Sequence, residues 1–130
     1  MYATKIICFV ALLFTSLHAH GQFSGTEMLQ NCQQAERVLD SPTGVPSHAN
    51  MQQAGRCFGF MTGLEQGIEI GLGAAGGTDA RSLFCVPQKV TYEQRLRVAL
   101  LWLRNHPERL HEEASLLIAT AFRDAFPCGK

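Results

Sequence analysis

The chain of 130 residues has no apolar run long enough to cross a bilayer. Its longest, residues 6–17, falls well short of the roughly 20 residues a spanning helix needs. It has no excess of positive charge either, with 11 Lys and Arg against 11 Asp and Glu. Nucleic acid and anionic membrane surfaces both demand such an excess, so neither is expected as a partner. Beyond residue 20 the cysteines lie at closest 25 residues apart, which is no spacing for zinc. Low-complexity tracts and domain-scale repeats are missing, which excludes collagen-like and disordered classes. Strand-like alternation is almost absent, so the chain reads as all-α.

What is present begins with a leader. Lys5 precedes the apolar run, and small and polar residues follow it, with cleavage fitting after Ala19 or Gly21. This is the three-part plan of a secretory signal peptide. Residues 1–20 are therefore read as a signal peptide and 21–130 as one domain, since about 110 residues suffice for one core and not two. From His20 onward, ten basic and eleven acidic residues leave a net charge of −1. No membrane contact is expected once the leader is gone.

Four helical segments can be read. The first spans 26–39, with Met28, Cys32, Ala35 and Leu39 on one face and Ser24 or Thr26 as its cap. Pro42 and Pro46 then force a loop. The second spans 47–73 and carries an apolar stripe of Met51, Ala54, Phe58, Met61, Leu64, Ile68 and Leu72, with a polar wedge of Thr62, Glu65, Gln66 and Glu69. The third opens at Thr91, where Gln94 completes a capping box, and stops at Asn105, His106 and Pro107. Leu96, Ala99, Leu100 and Leu103 form its core face. The fourth spans 112–126, with Ala114, Leu117, Ile118, Ala121, Phe122 and Ala125 turned inward. The expected architecture is a compact four- to five-helix bundle.

The second segment also bears Gly55, Gly59, Gly63, Gly67 and Gly71 at every fourth position. Each internal glycine costs about 1 kcal/mol against alanine, so something must offset the set. Close approach of another helix along this flat ridge is the expected compensation, from the third helix or from a second copy of the chain. Arg56, Glu65 and Glu69 interrupt the segment and exclude a membrane-embedded GxxxG helix.

Four cysteines remain after the leader: Cys32, Cys57, Cys85 and Cys128. An even number in an exported chain implies two disulfides. Cys32 and Cys57 lie on adjacent helices joined by one short loop, while Cys85 precedes the third helix and Cys128 follows the fourth. Antiparallel neighbours would bring together Cys32 with Cys57 and Cys85 with Cys128. On the loop-entropy model these closures are worth about 3.5 and about 4 kcal/mol.

Chemistry is sparse. All four thiols are expected to be bonded, which removes a cysteine nucleophile. Ser115, His111 and Asp79 could be written as a triad, yet no nucleophile-elbow motif supports it. The glycine-rich connector 73–82 lacks the Lys-Ser/Thr ending of a phosphate loop. His106, Glu108, His111, Glu112 and Glu113 fall where one helix stops and the next starts, which is structural duty for such residues. Trp102 reads as packing beside the core face, with the anchor of a partner as the second reading. No catalytic set, metal site or cofactor is expected.

Several motifs together resemble the Rap/Tai immunity protein family. They are Phe84 to Pro87, the start at Val90 and Thr91, the run Asn105 to His111, and the closing Ala121 to Cys128. Gly55 to Gly63 and Leu29 to Cys32 are similar to that family as well. The resemblance implies a small all-helical periplasmic protein, commonly a homodimer, that binds a peptidoglycan amidase effector delivered by type VI secretion and occludes its catalytic cleft. The matching residues are glycines, caps, prolines and cysteines, which define a scaffold. Partner contacts are therefore expected elsewhere, at Thr78, Asp79 and Arg81 in the connector and at Arg104, Glu108 and Arg109 around the helix turn. The alternative is an exported, disulfide-stapled helical carrier or stress chaperone without catalytic activity.

Overall fold

The computed structural model describes residues 23–41, 47–75 and 83–129. Four α-helices carry the fold: α1 (Gly25–Asp40), α2 (His48–Ala74), α3 (Tyr92–Asn105) and α4 (Ala114–Ala125). A single 3-10 turn, Pro107–Arg109, separates α3 from α4.

Local chemistry fixes where each helix begins. Ser24 caps α1: its hydroxyl accepts from the Glu27 N–H at 3.3 Å, and its own N–H donates to Glu27 Oε2 at 2.9 Å. The sequence left Ser24 and Thr26 open as caps; Ser24 takes the role, while the Thr26 hydroxyl donates to the Leu110 carbonyl at 3.2 Å. Ser47 caps α2 by accepting from the Asn50 N–H. Thr91 and Gln94 form the expected reciprocal box on α3, with bonds of 3.2 and 2.8 Å. Satisfying these otherwise unpaired N–H groups contributes about 1 kcal/mol per cap.

The core lies where the inner faces of the helices meet. Met28, Cys32 and Ala35 of α1 pack with Cys57 and Met61 of α2, with Leu96, Leu100 and Leu103 of α3, and with Leu117, Ile118 and Phe122 of α4. Each large side chain so buried contributes about 1.5–3 kcal/mol. Two disulfides staple this core, Cys32–Cys57 and Cys85–Cys128, in the expected pairing. The second is reinforced by the Cys85 N–H donating to the Phe126 carbonyl at 2.8 Å and by Phe84 packed edge-on against Phe122.

Three expectations about faces are corrected. Leu39, in the last turn of α1, is 45% exposed because it projects past the packed part of the helix. Met51 and Ala125, also assigned inward, are exposed near the ends of α2 and α4. Of the long α2 stripe only Ala54 and Met61 are buried, with Cys57 beside them. α2 outruns the helices it packs against, so its central turns are buried and its ends are not.

Of the two partners expected along the glycine ridge, the third helix is not one. A Cβ built at Gly55, Gly59, Gly63, Gly67 or Gly71 meets nothing within 4 Å. α3 does not pack there, because the apolar stripe turns α2 inward and leaves the ridge on the opposite side. Gly25 is the glycine that packing requires, for an added Cβ would fall 2.3 Å from Leu117 Cδ1. Its position is fixed by backbone bonds joining the start of α1 to the approach to α4: Gly25 N–H to the Glu112 carbonyl, and Ala114 N–H to the Phe23 carbonyl.

Candidate binding surfaces

Three regions of the surface carry distinctive chemistry. The first is the turn between α3 and α4. Trp102 is half-buried, its indole N–H donates to Asp124 Oδ2 at 3.0 Å, and His106 stacks on the ring with centroids 4.0 Å apart. His106 Nδ1 sits 2.8 Å from the Trp102 carbonyl, which closes the end of α3. The Arg109 guanidinium lies 5.2 Å from the Trp102 ring centre. Arg109 is in turn held by both carboxylate oxygens of Glu112, at 2.7 and 2.8 Å. Hydrogen bonding to Arg109 keeps the Glu112 carboxyl below the ordinary glutamate value. The result is an ordered aromatic and cationic patch, of the composition that concentrates energy at protein interfaces.

Of the residues expected to contact a partner, Arg109 is part of this patch and Glu108 adjoins it in the 3-10 turn, whereas Arg104 is on the side of α3 that faces α1. Glu108 is exposed. Arg104 is pinned by the Glu36 carboxylate of α1, and Arg97, one side of it, reaches Asp40 and Glu93 at 2.8 Å each. Thr78, Asp79 and Arg81 lie outside the described residues.

The second region is a cleft of about 610 Å³ between the C-terminal half of α2 and the segment leading into α3. Ile68, Leu72, Phe84 and Val86 line it with apolar surface; Glu65, Glu69, Gln88 and Arg95 add charge and polarity. At its floor the Arg95 guanidinium binds Glu65 Oε2, and its other arm donates to the Val90 carbonyl. One turn earlier, Thr62 hydrogen-bonds the Tyr92 hydroxyl. Thus two members of the polar wedge seen in the sequence, Thr62 and Glu65, form the seam that ties α2 to α3. Desolvation pushes the Glu65 carboxyl up, against the pull of Arg95. Glu65 Oε1 and Arg95 Nε have no hydrogen-bond partner among the described residues. This pair was not legible from spacing, since its members lie 30 residues apart.

The third region is the outward face of α2. Gly55 and Gly59 floor a shallow pocket of about 440 Å³, walled by Phe23, Glu27, Arg56 and Phe60. Phe23 and Phe60 lie against one another, with ring centres 5.0 Å apart.

Among the described residues no three His, Cys, Asp or Glu side chains gather as a metal site would need. No described helix is long and apolar enough to cross a membrane. Comparison with known proteins gives these surfaces a context. A model of Rap1a immunity proteins matches residues 24–128, from the cap of α1 to the last cysteine. The chain belongs to the Rap1a immunity protein family. Its match spans all four helices and both disulfides, so membership covers the whole stapled scaffold. No curated protein and no solved structure matches the chain.

Proposed function

We propose that this Rap1a-family protein works in the periplasm, where it binds a peptidoglycan amidase delivered by type VI secretion and covers that enzyme's catalytic cleft. The observation that carries the reading is the family match over residues 24–128. Two disulfides add to it, since such bonds persist in oxidising compartments. In this reading residues 1–20 are the export signal, and 21–130 form the mature domain. Neutralisation needs surface complementarity rather than turnover, so the protein acts without catalysis and without a cofactor.

The contact surface in this reading is the α3–α4 turn together with the connector. Trp102, Glu108 and Arg109 supply a mixed-charge patch, and Arg104, Thr78, Asp79 and Arg81 are proposed as further contacts. Rigid aromatic and arginine anchors lose little freedom on binding, which favours a stable complex.

Co-expression with a candidate peptidoglycan amidase tests the reading. The expected result is a complex that survives purification and cells that do not lyse. Lysis undiminished by the protein, with no association, would overturn it. If the partner is bound, Arg109→Glu and Glu108→Arg should weaken the complex at least tenfold.

A further inference from the structure

The two disulfides differ in what can reach them. Cys32 and Cys57 have no exposed surface and lie in the core with Met28, Ala35 and Met61. Cys85 is exposed and lines the cleft between α2 and the segment leading into α3. Cys128 is half-buried in the segment that follows α4. Thiol–disulfide exchange requires a thiolate to approach one sulfur of the bond. An anion enters an apolar core only at a heavy desolvation cost, so the folded bundle closes Cys32–Cys57 to attack. Cys85 is behind no such barrier.

The surroundings of the exposed bond are also held without it. Phe84 is 6% exposed and packs edge-on against Phe122 of α4. The Cys85 N–H donates to the Phe126 carbonyl at 2.8 Å. These contacts tie the segment before α3 to the end of α4 on their own. The Cα atoms of Cys85 and Cys128 are 4.8 Å apart, so with that tie kept the two thiols stay neighbours and can close again.

We propose that Cys85–Cys128 is a thiol–disulfide exchange site, opened by a dithiol in the folded protein, while Cys32–Cys57 stays closed. One thiolate of the dithiol bonds to Cys85 Sγ, breaking the Cys85–Cys128 bond and releasing Cys128 as a thiolate that takes up a proton. The dithiol's second thiol, deprotonated, then attacks the dithiol sulfur of this mixed disulfide and releases Cys85, which is protonated in turn. The protein gains two electrons and two thiols, and the dithiol leaves as a disulfide. This chemistry involves no effector, so it stands apart from the proposed function.

Timed reduction of the purified, oxidised protein with dithiothreitol, quenched with iodoacetamide and mapped by peptide mass spectrometry, reads the result directly. Cys85 and Cys128 should be alkylated together, at a rate linear in dithiothreitol and at least about tenfold above that of Cys32 and Cys57. Urea below the unfolding transition should speed the loss of Cys32–Cys57 more than that of Cys85–Cys128, because the buried pair waits for the bundle to open. The species with two free thiols should keep its far-UV circular dichroism and regain the same pairing when the dithiol is removed. Equal rates for the two bonds, earlier loss of Cys32–Cys57, or a Cys85–Cys128 bond that yields only on unfolding overturns the proposal. So does loss of the helical signal in the two-thiol species, which would make this bond a structural staple alone.

Discussion

Gly25, at the start of α1, and Leu117, in the core face of α4, pack so closely that no methyl group fits between them. An added Cβ at Gly25 would lie 2.3 Å from Leu117 Cδ1 and 3.1 Å from the Leu110 backbone. The leucine tip can swing aside, but the backbone of Leu110 is held by the Thr26 N–H. Gly25→Ala should therefore destabilise the protein by about 1–3 kcal/mol, the usual cost of overpacking. Chemical unfolding of the variant checks the value.

Gly71 predicts the opposite sign. It sits within α2, and a Cβ there meets nothing within 4 Å. Gly71→Ala should stabilise by about 0.5–1 kcal/mol, the ordinary helix-interior difference between the two residues. A melting temperature raised for Gly71→Ala and lowered for Gly25→Ala would show that packing, not residue type, sets the sign.

That contrast marks how far the sequence could be read. The inner face of α3, with Leu96, Ala99, Leu100 and Leu103, was legible residue by residue, and all four are buried. So were the Thr91 capping box and both disulfide pairings. These depend on periodicity and on which chain ends a hairpin returns to. Gly25 was not legible, because its constraint comes from Leu110 and Leu117, far along the chain. Leu39 and Met51 fitted the periodicity and still lie exposed, because periodicity names a face and cannot say how far the neighbouring helix extends. At the α3–α4 turn, Glu108 and Arg109 were candidates from the sequence, while the stacking of His106 on Trp102 was not legible. Stacking depends on rotamers that spacing does not encode.

Acid should act on the carboxylates in two directions. The Ser24 backbone N–H, and then its hydroxyl, hold Glu27 below the ordinary 4.5, and the Arg109 side chain does the same for Glu112. For such groups the folded state binds protons less readily than the unfolded chain. Their stabilisation is present above 4.5 and is lost as pH falls through their folded values. Glu112→Gln should accordingly flatten the loss of stability on acidification. Glu65, raised by desolvation, has the opposite sign, so its carboxylate form increasingly penalises the fold as pH rises through its folded value. Urea unfolding from about pH 3 to about pH 7 should show Glu65→Gln gaining on the wild type as pH rises.

Removing the partner of Glu65 should be more damaging than neutralising Glu65 itself. The two side chains are largely buried, at 14% and 18% exposure. Arg95→Ala strands a desolvated carboxylate and should cost up to about 3 kcal/mol, whereas Glu65→Gln keeps an acceptor for Arg95. Equal losses in the two variants would contradict this view of the seam between α2 and α3.

Reduction of the disulfides tests the scaffold as a whole. Replacing Cys32 and Cys57, or Cys85 and Cys128, with serine pairs should lower stability by up to about 3.5 and about 4 kcal/mol respectively. Thermal melts of each double variant against the oxidised protein give the comparison.

The most direct measurement follows peptidoglycan cleavage by a purified candidate amidase while this protein is titrated in. Cleavage of isolated cell walls should fall in proportion to added protein and cease near stoichiometric amounts, with substrate excess failing to restore it when the complex is tight. Cleavage that continues unchanged in the presence of the bound protein would contradict occlusion of the catalytic cleft.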